Sequence, residues 1–193
     1  MFNEQAKLNA KENNKNLLTL LENEQMNRCF IGEVTDTITH ADGRVEVREY
    51  RNTIVNSIGT LIACLLKGQS GYSGIGYWAV GSGSEAWDNT NPTPATVNDT
   101  GCTNEIGRKQ IPASAIKFLD SGNATTDSPT NKLQITLTFS ENECNGTWRE
   151  FAIFGGNATS TRNSGLAINH KTHAILVKTN TMVVERQIRF TFN

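Results

Sequence analysis

The residues to weigh first for chemistry are the three histidines, His40, His170 and His173, because imidazole titrates near neutral pH and is the commonest metal ligand. His170 and His173 stand three apart in "NHKTHA". On a strand that spacing sends the two rings to opposite faces, and the segment holds no cysteine or carboxylate to complete a metal set. Both read as surface or interface histidines, and His40 falls in a turn. The acids come next. Glu105, Glu141, Glu143 and Glu150 could supply two carboxylates for glycoside hydrolysis, but no spacing enforces a pair across a cleft. Glu105 with Arg108 in "NEIGRK", and Arg149 with Glu150 in "WREF", read instead as structural ion pairs beside apolar strands. Such pairs set register more than they add stability. The glycines of "VGSGSEAW" follow a helical stretch rather than opening one, and lack the Lys-Ser/Thr pair of a phosphate loop. No Ser-His-Asp order and no G-x-S-x-G elbow stands out. Neither a catalytic residue nor a metal or cofactor site is expected.

Aromatic residues give the remaining candidates. Trp78 and Trp148 sit inside strand patterns and read as core. Trp87 lies in a loop among Glu, Asp and Asn; with Tyr72 it is the candidate for contact with a partner or a glycan. Cys29, Cys64, Cys102 and Cys144 are far apart with no C-x-x-C pair, a pattern of free thiols rather than disulfides or zinc ligands.

The elements that position these residues follow from patterning. A chain of 193 residues fits one domain plus an appendage. Its net charge of −1 supplies no field to recruit nucleic acid or an anionic membrane. The N-terminus lacks the apolar centre of a secretory signal. The apolar segment Ile54 to Leu66 is broken by Asn56, Ser57 and Gly59, which argues against a membrane span. The expected compartment is a reducing cytoplasm.

Residues 1–28 are polar, with Leu17, Leu20 and Leu21 on one helical stripe. So short a stripe cannot hold a helix alone, so it packs on its own domain or on another subunit. Leu17, Leu18 and Leu21 are the candidate docking residues. From residue 29 onward alternation takes over. "CFIGEVTDTITHADGRVEVREYRN" reads as a hairpin around Asp42-Gly43. Asn52 to Gly68 reads as a buried helix, with Ile58, Leu61, Ile62 and Leu65 facing the strand at Tyr77 to Val80. "NKLQITLTFS", "WREFAIFGG" and the last stretch read as further strands. Seven or eight strands and one helix imply a mainly β fold: an antiparallel β-sandwich (residues 29–193) with one packed α-helix and an N-terminal helical arm.

The order of these pieces resembles a family of bacteriophage tail and virion proteins. The matching pieces are Asn52 to Gly68, Tyr77 to Gly83, and an "N-E-x-x-R" element at Asn104-Glu105 to Arg108. Glu150 to Gly155 and a closing pair from Lys171-Thr172 through Phe190 complete the set, over roughly residues 40–193. The resemblance implies a structural component of a tail, neck, collar or baseplate, often fibre-associated and commonly trimeric, with no activity. Its partners would be other virion proteins, its location the virion, and its site of assembly the host cytoplasm. The chain ends at Phe192-Asn193 with no fibre shaft after the sandwich, which reads as an adaptor or attachment piece. The rival expectation is a carbohydrate-binding receptor module using Trp87 and the loops around it.

Overall fold

The computed structural model describes residues 30–193, so the expected N-terminal arm, with Leu17, Leu18 and Leu21, lies outside the described residues. The hairpin comes first. Strands β1 (Phe30–Thr39) and β2 (Val45–Arg51) flank a turn in which Gly43 adopts a φ of 82°, a left-handed conformation that glycine takes without strain. A two-residue strand β3 (Thr53–Ile54) then leads into helix α1 (Ser57–Lys67). The helix is thus shorter than the expected Asn52 start, because Thr53 and Ile54 pair with β10 (Leu166–Lys178) instead. Gly68, with φ 66°, ends it by donating its N–H to the Leu65 carbonyl, while Gln69 donates to that of Cys64.

The remaining strands are β4 (Ser73–Gly81), β5 (Glu105–Gln110), β6 (Ile116–Leu119), β7 (Thr125–Thr126), β8 (Lys132–Phe139), β9 (Gly146–Gly156) and β11 (Val183–Phe192). A single 3-10 turn at Ala113–Ala115, just after Pro112, separates β5 from β6 and sends them to different sheets. The strands form two packed antiparallel sheets. The first runs β2-β1-β11-β8-β6-β7 and the second β3-β10-β9-β4-β5.

Alternation places Val34 and Ile38 of β1, Ile135 and Phe139 of β8, and Val184 and Ile188 of β11 on the inner face of the first sheet. They meet Trp78, Val80, Trp148, Phe151 and Ile153 from the second. Phe139 and Trp148 pack edge to face with ring centroids 5.1 Å apart. On β1 and β11 two of the inward positions are charged. Arg186 of β11 and Asp36 of β1, both fully buried, form a bidentate pair with two contacts of 2.5 Å. The guanidinium lies 4.3 Å from the Phe151 ring centroid and 5.2 Å from that of Trp148.

The second sheet is buried on its outer face as well. Ala79, Ala152, Phe154 and Ala167 pack there with Val55 and Cys102. Cys102 belongs to the long loop 82–104, and a second loop, 157–165, lies alongside it. Burial on both faces is why "EFAIFGG" in β9 is a continuous apolar run rather than an alternating one. Helix α1 crosses β10, β9 and β4. Ile58 and Leu61 are buried there, but Leu65 is 43% and Leu66 84% exposed, so the expected burial of Leu65 is corrected. At 11 residues the helix is about 16 Å long, and its last turn overhangs the sheet.

Candidate functional site

The outer face of the second sheet gathers an unusual density of buried charge. Its centre is Glu150 on β9, in register with Gly81 of β4 on one side and Thr172 of β10 on the other. Gly81 makes room: a Cβ there would overlap the Glu150 side chain. Glu150 Oε1 accepts the backbone N–H groups of Gly83 at 3.0 Å and Asn104 at 2.9 Å. Its Oε2 accepts the N–H of Thr103 at 2.9 Å and faces His170 Nε2 at 3.0 Å. The other ring nitrogen of His170, Nδ1, faces Asp99 Oδ2 at 2.6 Å. Asp99 is in turn held by the N–H and hydroxyl of Thr96.

A ring with a carboxylate at each nitrogen donates at both, which defines an imidazolium. Burial alone would lower the His170 pKa, but hydrogen bonds and charge from Glu150 and Asp99 outweigh it and raise the value above that of an ordinary histidine. Burial likewise pushes Glu150 up. Hydrogen bonds from His170, Asn104 and Thr103 win, and its pKa falls below the usual glutamate value. Asp99 is lowered in the same way, with Thr96 and His170 overcoming burial. The unit fastens both ends of the loop 82–104 to β9 and β10.

Glu105 and Arg108 form the second node. Arg108 Nε donates to Glu105 Oε1 at 2.6 Å and Nη2 to Oε2 at 2.7 Å, with both side chains buried. Residues three apart on a regular strand face opposite ways. A register shift between Val80 and Gly81 in the β4–β5 ladder brings these two to one face. Arg108 Nη1 also donates to the carbonyls of Thr159 and Ser164, while Glu105 accepts the N–H of Asn163 at 2.8 Å. The guanidinium lies over the Phe154 ring at 4.6 Å. This node fastens the loop 157–165.

Arg149 does not pair with Glu150, although both reach the loop 82–104 beside a register shift in the β9–β10 ladder. It donates instead to the carbonyls of Ser84 and Trp87 and to Asn89 Oδ1. The Trp87 ring lies directly on Gly83, where φ is 64° and a Cβ would collide with the indole. Tyr72 packs against Gly156 at the opposite end of β4. The nine residues of β4 separate the two aromatics by roughly 30 Å, so they do not line one surface.

The expectation of surface histidines is also corrected. His170 and His173 do face opposite ways on β10, but both are buried. His173 points into the core beside Tyr50 and Phe151, with Nδ1 donating to the Ala174 carbonyl at 2.8 Å. Burial, reinforced by Arg186, drives its pKa down to about 3, so it stays neutral. The chain matches no family model, no curated protein and no solved structure.

Chemically, the network is closed on itself. Each oxygen of Glu150 already accepts two hydrogen bonds, and both nitrogens of His170 are engaged. Cys102, close enough to feel the charges of Glu150 and Glu105, is buried, and burial raises its thiol pKa well above the ordinary value. Cys64, Cys102 and Cys144 are free thiols. Among the described residues no group of three His, Cys, Asp or Glu side chains could hold a metal ion, and no helix is long and apolar enough to cross a membrane. Sequence reasoning missed His170 as the partner of Glu150 and Asp99 as the partner of His170. Nothing local marks Asp99, which lies in a loop of small polar residues 71 positions from His170.

Proposed function

We propose that this chain is a non-enzymatic structural component of a bacteriophage tail, neck or baseplate, acting as an adaptor or fibre-attachment protein in virion assembly. One observation carries the reading. Gly81, Gly83, Glu105, Arg108 and Glu150, which come from separate pieces of the resemblance, meet on one sheet face and fasten its covering loops. Their polar groups are engaged by the chain's own backbone and side chains, which supports a rigid loop scaffold rather than turnover. In this reading the partners are other virion proteins and further copies of the chain, with a trimer favoured. Residues 1–28 serve for docking through Leu17, Leu18 and Leu21. No cofactor, nucleic acid or membrane takes part.

The test is incorporation. Particles grown without the endogenous gene are complemented with the full chain or with a chain lacking residues 1–26, then purified and quantified by mass spectrometry. The full chain is expected in the particles, and the truncated chain is expected to be folded, soluble and absent from them. Absence of the full chain overturns the proposal. Specific binding on a glycan array, lost on Trp87→Ala, would favour the rival receptor-recognition module.

A further inference from the structure

Among the described residues nothing covers the outer face of the first sheet, whereas both faces of the second are buried. The strand register defines what this face presents. Val45, Thr39 and Val183 form one row across β2, β1 and β11, and Val47 and Thr37 lead the next. Val45 is 57% and Val47 58% exposed. This end of the face is β-branched, with Glu185 as the charge in its second row. Farther along, Arg51, Glu33 and Arg189 alternate in sign across the same three strands, at the floor of a shallow concavity of about 410 Å³.

We infer that this face is where copies of the chain pack against one another. Three features select a second copy as the occupant. The acidic Glu33, Glu49 and Glu185 interleave with the basic Arg51, Arg189 and Lys117, so the face complements itself and offers no single-signed field to nucleic acid or lipid. A twisted sheet packs best on a sheet of matching twist, which another copy supplies. The area also suffices. Five strands about 4.8 Å apart and roughly eight residues long present about 600 Å² per copy, or about 1,200 Å² for a pair, at the lower bound of stable interfaces. The inference rests on the homo-oligomeric part of the reading above, but a face packed on its own copy closes as a twofold pair, so the mass in solution separates it from the favoured trimer.

The test uses the full chain and Val47→Glu, with Val45→Lys as a second variant. Both positions are exposed, so neither substitution disturbs the core. Light scattering after size exclusion across a concentration series reads the mass, and thermal melting checks the fold. Wild type is expected to be oligomeric. Each variant is expected to keep its fold and associate at least about tenfold more weakly, because a charge would have to be desolvated in the interface. A wild type that is monomeric throughout overturns both this inference and the homo-oligomer. An oligomer that neither variant weakens overturns the face alone.

Discussion

Glu150→Gln tests the loop-fastening network with a single atom exchanged. The amide oxygen can keep the N–H groups of Gly83 and Asn104, but the amide nitrogen then faces the Thr103 N–H and His170 Nε2, which are both donors. The buried His170 N–H and the half-buried Thr103 N–H lose their acceptor, at about 1–3 kcal/mol for a fully buried donor and less for the other. The expected loss is therefore roughly 2–4 kcal/mol, with the charged His170 giving the larger share. The pH dependence gives an independent readout. His170 has a raised pKa in the fold, so its contribution is complete below the unfolded value of 6.5 and is lost as pH rises through the folded value. Glu150 has a depressed pKa, so its contribution is complete above the unfolded value of 4.5 and is lost as pH falls through the folded value. The stability gap between wild type and Glu150→Gln should be widest between those two unfolded values and narrow as the solution becomes alkaline. Urea denaturation at a series of pH values measures it. A loss below about 1 kcal/mol, or a gap independent of pH, would refute the buried imidazolium between two carboxylates.

Three further outcomes follow from the core. Arg186→Met should cost about 3–5 kcal/mol because it strands Asp36, while the double change with Asp36→Leu should recover most of that loss in the same denaturation assay. His173 must stay neutral in the fold while the unfolded chain takes up its proton below pH 6.5. Between pH 6.5 and 4.5, above the range where the carboxylates titrate, wild-type stability should therefore fall by about 1.4 kcal/mol per pH unit, a slope that His173→Phe should remove. Leu61→Ala should cost about 2–5 kcal/mol, and Leu65→Ala less than about 0.5, as read by paired melting curves.

The sequence by itself determined what depends on neighbouring residues. Asp42-Gly43 between two alternating runs specified the β1–β2 hairpin, because the turn needs a left-handed residue that glycine supplies. Leu133, Ile135, Leu137 and Phe139 specified β8, since a period of two assigns the buried face without reference to the partner. Trp78 and Trp148 were legible as core for the same reason. Length, charge and turn content narrowed the fold to an antiparallel sandwich.

Tertiary structure decided the rest. That β9 is covered on both faces depends on the loop 82–104 folding back over it, and nothing within "WREFAIFGG" encodes the cover. The side-by-side placement of Glu105 and Arg108 needs a register shift against β4, which exists only once the two strands pair. His170 looked like a surface residue because its carboxylates, Asp99 and Glu150, lie 71 and 20 positions away. Periodicity reports which way a side chain points. Whether a charge pointing that way meets water or a partner is set by chain segments remote in sequence, and in the low dielectric of the interior that difference decides its protonation.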